Sequence, residues 1–461
     1  MILEFMSKLF RVWEVDQVWL LPPTVRELVP AGHLAHFVRE TVKEDLDLSA
    51  IYAVYEEERG QPPYHPGMMV ALLLYAYSRG IYSSRRIAVG CHERLDFAAV
   101  TGMQHPDFRT INTFRKRHLE ALSGLFLQVL KLCRAAGLVK LGHVALDGTR
   151  VKANASKHKA MSYGRMSAAE EALAAEVAGW MAQAEQADVA EDQQLGEQRR
   201  GDELPAWVAN KQRRLEKIRQ AKAALEAEAR AAAAAKVAQQ AEARAAAAAK
   251  RSDSNDDGSP QRPERKPEPP TALPADKAQR NFTDPDSRIM KTKDGFIQGY
   301  NGQAAVDGHH QIIVAQSLSN NGSDQAQLAP MLSAIKSNMG QNPVEFSADA
   351  GYCSAANLRT LARRRIAGYI ATGRQRHGTS AAVGKRAPRR GSLLAKMATK
   401  LKRAGRRSRY RLRKQIVEPV FGQIKQARGF RQFLLRGIEK VRAEWALICT
   451  AHNLTKLAGA A

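Results

Sequence analysis

Acidic residues are scarce in this chain. Only 46 Asp and Glu stand against 71 Lys and Arg over 461 residues, leaving a net charge of +25. An excess of that size points to a polyanionic partner, most directly nucleic acid, over a merely solubilising basic tail. The deficit is local: from Arg359 to Arg442, 26 basic residues face only Glu418 and Glu439. Cysteine is equally sparse. Cys91, Cys133, Cys353 and Cys449 lie far apart with no CxxC pair, which excludes a disulfide framework or a zinc module and fits a reducing compartment. Long apolar runs are missing too; Met68 to Tyr77 extends for only ten residues, too short to span a membrane. The N-terminus lacks a charged-then-apolar signal pattern, and Met1 to Phe5 reads as a leader or an early start ahead of Met6. A cytoplasmic, nucleoid-associated protein with no membrane partner is expected.

What is present divides into three stretches. Residues 12–140 read as an all-α N-terminal DNA-binding domain. Pro66-Gly67 opens a strongly apolar helix that ends at Gly80, and Ser83-Ser84 are placed to cap the next one. Phe108 begins a longer amphipathic helix running through Leu119, Leu122, Leu125, Leu130 and Leu132. Helices with Arg-rich starts, carrying Arg85, Arg86 and Arg115, resemble a helix-turn-helix reader; a packing domain with a solvated charged face fits the same pattern.

At residues 143–155 the character changes to β: a strand up to Asp147, a turn at Gly148, then Arg150 to Ala155. Residues 156–278 then read as an insertion. Ser167 to Lys250 is dominated by Ala, Glu, Gln, Arg and Lys, good helix formers with little apolar area, broken at Gly196, Gly201 and Pro205. A helical hairpin or coiled coil is expected there, followed by a disordered linker from Ser252 to Ala275. The β-containing domain resumes over 279–461. A hairpin spans Phe296 to Ala315 with Gly308 in its turn, and a helix from Gln325 to Met339, a strand Val344–Ala348, a helix Ser354–Arg364 and a short strand Ala367–Ala371 follow. A flexible basic segment, Arg374 to Arg409, then leads to a helix bearing Glu418 and a last helix from Ile438 to Leu457. This order predicts an α/β domain with a mixed sheet flanked by helices.

Three acids in three local settings carry the chemistry. Asp147 closes the apolar run Val144-Ala145-Leu146; Asp349 follows Phe346-Ser347-Ala348; Glu418 lies on an apolar-periodic stretch inside the basic region. Two strand-end acids and one helical acid beside a large positive patch suit two divalent ions about 3.5–4 Å apart, acting on a phosphodiester. Hard Mg²⁺, with Mn²⁺ as a substitute, matches such carboxylates. Leu146-Asp147-Gly148-Thr149 has the tail of the Asp-x-Asp-Gly-Thr phosphatase signature, but Ala145 occupies the nucleophile's place and removes that reading.

The chain resembles the bacterial insertion-sequence DDE transposases, in the insertion-sequence-five-like branch with an N-terminal helical transposase domain. The resemblance rests on Tyr64-His65-Pro66-Gly67-Met68-Met69, Tyr82 to Ala88 and His105 to Phe114. In the catalytic part it rests on Ala145 to Thr149, Ala348-Asp349-Ala350-Gly351-Tyr352 and Val417 to Lys425. It implies a ribonuclease H-like core, catalysis and metal binding by Asp147, Asp349 and Glu418, and Mg²⁺-dependent cleavage and strand transfer at terminal inverted repeats. The family's signature is Tyr, two residues, Arg, three residues, Glu, six residues, Lys. Glu418 and Lys425 fit; Arg411 and Lys414 occupy the earlier positions, with Tyr410 and Arg413 one residue ahead. DNA contacts are therefore expected from Lys425, Lys414, Arg413 and Tyr410, and a homo-oligomer during synapsis of two element ends. Two other functions fit the residues: a structure-directed nuclease on the same core, or a non-catalytic basic coiled-coil DNA-binding protein.

Overall fold

A computed structural model describes residues 24–55, 63–195, 206–252, 272–292, 295–373, 389–404 and 408–460. The expected early start at Met1, the breaks at Gly196, Gly201 and Pro205, and most of the Ser252–Ala275 linker lie outside these residues. The chain divides into two compact units, Met1–Ala121 with Ala458–Ala461, and Leu122–Leu457.

Regular structure in the described part of the first unit is helical: α1 Leu34–Glu44, α2 Ser49–Tyr52, α3 Pro66–Ser78, α4 Ser84–Glu93, α5 Leu95–Thr101 and α6 Phe108–Arg117. Helix α3 is buried from Met69 to Ser78 on all sides and forms the centre. Pro66 supplies a preset φ at its start, and Gly80 turns the chain out at φ 75°. Ser83 precedes α4 without a side-chain capping bond. Asp107 does cap α6, its Oδ1 accepting from Arg109 N at 2.6 Å and Thr110 N at 3.1 Å. The single long helix expected from Phe108 is two. His118 leaves the helical region (ψ 27°), its ring stacked on Tyr55 and its Nε2 3.1 Å from the Tyr55 hydroxyl. Helix α7, Leu119–Ala135, starts afresh after it.

The second unit is built on a six-stranded mixed sheet. Its strands are β1 His143–Lys152, β4 Arg288–Thr292, β5 Gly295–Asp307, β6 Ile313–Ser319, β7 Glu345–Ala348 and β8 Ala367–Ile370. The order is β4-β5-β1-β7-β8, with β6 also on the outer edge of β5. Strand β5 runs antiparallel to β1, β4 and β6, whereas β1, β7 and β8 are parallel. The β5–β6 hairpin with Gly308 at its turn forms as expected. Strand β1 does not turn at Gly148: it continues in register with β5 to Lys152 opposite Gly299. Asp147 is thus a mid-strand residue. Gly148 serves close approach, since a Cβ there would stand 2.5 Å from Gln303 Nε2 and 2.7 Å from Asp324 Oδ1.

Helices α10 Leu328–Met339, α11 Ala355–Arg363, α13 Leu412–Gly422 and α14 Ile438–Ala458 accompany the sheet. The fully buried Trp445 of α14 donates Nε1–H to Gln303 O, and Asn453 brackets the backbone of Ile313 at 2.8 and 2.9 Å. Part of the expected flexible basic segment is ordered: α12, Leu393–Ala404, begins at Ser392 Oγ, which accepts from Ala395 N. Its Lys400 donates to Gly368 O and lies 4.0 Å over the Tyr369 ring. Residues 374–388 and 405–407 of that segment lie outside the described ones.

The stretch expected as an insertion contains α8 Tyr163–Leu195 and α9 Ala206–Ser252. Met166, Ile218, Ala221 and Leu225 form a small buried cluster between them. At their base β2, Ala160–Ser162, pairs antiparallel with β3, Gln279–Asn281. β2 and β3 thus bring the two ends of this stretch side by side.

Candidate active site

Strand register brings the first two acids together. Leu146 of β1 pairs with Ala348 of β7, so Asp147 and Asp349 are the next residues along adjoining parallel strands, which in a sheet lie about 4.8 Å apart. Asp349 leaves the strand extended and its Oδ1 accepts from Gly351 N at 2.8 Å, capping a short turn. The third acid comes from α13, where Ile416, Val417 and Val420 are buried and Glu418 points outward, its side chain 48% exposed. One guanidinium joins helix to strand. Arg413 Nη1 lies 2.6 Å from Asp147 Oδ2, and Nη2 lies 3.1 Å from Glu418 Oε1. The one-residue offset before Glu418 does not take Arg413 off the site, because it lies in the first turn of α13 and its long side chain spans the gap. Tyr410 stacks nearby, its ring 5.9 Å from the Arg413 guanidinium carbon.

Electrostatics mark the same place. Burial pushes the Asp147 carboxyl up to about 7, against the lowering effect of Arg413 and with further upward pressure from Asp349 and Asp324. Asp349 is raised by burial, opposed by the Gly351 amide and Arg413. Burial works against the charge on Arg413, yet the neighbouring carboxylates, chiefly Asp147, hold it more firmly protonated. Clustered carboxylates with one compensating cation demand more positive charge, and their hard oxygens suit Mg²⁺. The donor set therefore fits a divalent ion. Among the described residues no three potential ligands gather around one point; the Arg413 guanidinium pairs with both Asp147 and Glu418.

The remaining expected DNA contacts fall into two groups. Lys414 is exposed on α13, and Arg85 and Arg86 are exposed on α4, with Arg85 5.2 Å over the Phe108 ring. Two are turned inward. Arg115 is 4% exposed and donates to Tyr77 OH, Tyr82 O and Asn112 Oδ1, so it belongs to the core of the first unit. Lys425 is half-buried in the turn that follows α13. That turn is π-helical, Gln423–Ala427, and Lys425 Nζ donates to Thr149 Oγ1 and Arg150 O, both at 2.9 Å. It pins the end of α13 to β1.

One acid in the site was missed in the sequence. Asp324 follows Asn320-Asn321-Gly322-Ser323, which has the composition of a plain turn. Its Oδ1 accepts from Asn301 Nδ2 at 2.6 Å and Gln303 Nε2 at 2.8 Å. The available signal was in β5, where two amide side chains at alternate positions interrupt a buried strand and need partners.

Residues 270–454 match the family described as Transposase DDE domain, and residues 23–117 match that described as Transposase domain (DUF772). Together these cover more than half of the chain. No curated protein and no solved structure matches.

Proposed function

The chain belongs to the insertion-sequence DDE transposases, and we propose on that basis that it binds the terminal inverted repeats of its own element, cleaves a strand there and joins the freed end to target DNA. The observation that carries this is the register placing Asp147 beside Asp349, with Glu418 joined to Asp147 through Arg413. The strand order, with the antiparallel group β4, β5 and β6 beside the parallel strands β1, β7 and β8, supports a ribonuclease H-like core. The Tyr64–Met69 and His105–Phe114 motifs support the insertion-sequence-five-like branch.

Asp147, Asp349 and Glu418 would hold Mg²⁺. When bound, that ion supplies Lewis acidity for an attacking water or 3′-hydroxyl and for the leaving oxygen. The protein's own part is placement. The rigid strands β1 and β7 fix two carboxylates, and α13 presents the third from its exposed face. Arg413 balances their charge, and a phosphate oxygen entering the site meets its guanidinium and the Tyr410 ring edge. Lys414, Arg85 and Arg86 grip the DNA backbone through charge. Synapsis of two ends calls for a homo-oligomer.

Changing Asp147, Asp349 or Glu418 to Ala should abolish Mg²⁺-dependent cleavage of an inverted-repeat duplex while leaving gel-shift binding largely intact. Cleavage retained by Asp349→Ala would overturn the assignment. A labelled 3′-hydroxyl end appearing in target plasmid separates transposition from simple nuclease action.

A further inference from the structure

The loop bearing Asp324 is tied to the loop bearing Asp349 by side-chain hydrogen bonds. Asn357 of α11 donates through Nδ2 to Gln325 O at 2.8 Å and to Tyr352 O at 2.7 Å, one contact in each loop. Tyr352, fully buried, donates its hydroxyl to Gln303 Oε1. That bond fixes the amide so that Gln303 Nε2 must face Asp324 Oδ1. Asn301, 1% exposed, supplies the second donor to the same oxygen.

Two buried amides thus hold one oxygen of Asp324 and leave the other unclaimed: among the described residues no donor reaches Oδ2. That oxygen faces the catalytic loop. The point where a Cβ on Gly351 would sit is 3.3 Å from Asp324 Oδ2 and 3.0 Å from Asp349 Oδ1. Glycine at 351 and at 148 leaves the space in which the two acids meet. A carboxylate anchored on one side and open on the other beside a second carboxylate is arranged to attract a cation, since unscreened like charges at this range repel.

We propose that Asp324 is a fourth acidic group of this centre, a positioning residue that acts through Asp349. Its charge, seated by Asn301 and Gln303, strengthens divalent-cation binding at Asp349. The inference rests on the reading of Asp349 as a metal ligand given above. It adds that the β5 amides and the Asp324 loop belong to the metal-binding apparatus and not only to the fold.

Calorimetric titration of the full-length protein with Mn²⁺ tests it without recourse to activity. Asp324→Asn keeps an oxygen for both amides and removes only the charge; Asp324→Ser removes the charge by another route should the first variant not fold. Either should weaken Mn²⁺ binding about tenfold or more, the range seen when groups supporting metal ligands are removed, with melting temperature unchanged. Asp349→Ala provides the reference. If it loses binding while both Asp324 variants match the wild type, the role of Asp324 is overturned and the metal reading stands. If Asp349→Ala also matches the wild type, both fall.

Discussion

Arg413 Nη1 stands 2.6 Å from Asp147 Oδ2, a pair that closes 266 positions of chain and fastens α13 to the middle of the sheet. The same guanidinium reaches Glu418, so a single cation holds two of the three acids. It is 11% exposed, which makes its loss costly: removing one partner of a largely buried pair leaves the other charge uncompensated.

Arg413→Gln should therefore destabilise the metal-free protein by about 3 kcal/mol in a urea titration. Added Mg²⁺ should restore more stability to the variant than to the wild type, because cation and guanidinium serve the same carboxylates. An identical Mg²⁺ response in both proteins would show that Arg413 and the ion do not share this site.

Asp147 makes stability depend on pH in a defined direction. Its carboxyl, ordinarily at 3.8, is pushed up to about 7 by burial. The folded state then holds a proton that the unfolded chain has released, so stability falls as pH rises from about 4 to about 7. Above 7 the whole penalty is present. Asp147→Asn removes it, and in EDTA the variant should be more stable than the wild type at pH 8 by roughly 1–3 kcal/mol, below the full value of the shift because Arg413 loses a partner. At pH 4 the advantage should vanish. Melting curves at the two pH values decide it; an advantage that grows towards acid would contradict the burial of Asp147.

Two glycines of the β1–β5 ladder separate fold from site. A Cβ on Gly299 would lie 2.4 Å from the backbone oxygen of Val151, whereas one on Gly148 would meet the side-chain ends of Gln303, Asp324 and Asn301 at 2.5–2.9 Å. Gly299→Ala must move backbone and should cost about 1–3 kcal/mol or more of stability. Gly148→Ala displaces the amides that seat Asp324, and should reduce cleavage and Mn²⁺ affinity at a smaller cost in melting temperature. Equal losses of stability in the two variants would remove this distinction.

How far the site could be read from the sequence follows from what each element signals locally. Asp147, Asp349 and Glu418 end or interrupt apolar runs, and the strands and helix around them have periodicity of their own. Whether they meet is decided by register, since Leu146 opposite Ala348 is a tertiary fact. Gly148 looked like a turn because Asp-Gly usually is one; the pairing across to β5 overrides that local preference. Asp324 was hidden in a polar loop, and its importance appears only through the amides it meets. Arg115 and Lys425 fall among the expected DNA contacts because a basic residue carries no sequence mark of the side it faces.

The inward turn of Arg115 leads to a test on DNA. Each phosphate that a basic side chain neutralises adds about one unit to the slope of log affinity against log salt. Arg85 and Arg86 are exposed on α4, so Arg85→Ala combined with Arg86→Ala should weaken inverted-repeat binding and flatten the slope by about two. Arg115 instead donates to Tyr77, Tyr82 and Asn112 within its own unit. Arg115→Ala removes these buried donor contacts and should lower melting temperature, with the salt slope unchanged in the fraction that remains folded. Fluorescence anisotropy across a salt series separates the two outcomes. A flattened slope for Arg115→Ala, at wild-type melting temperature, would return Arg115 to the DNA-facing set and refute its placement in the core.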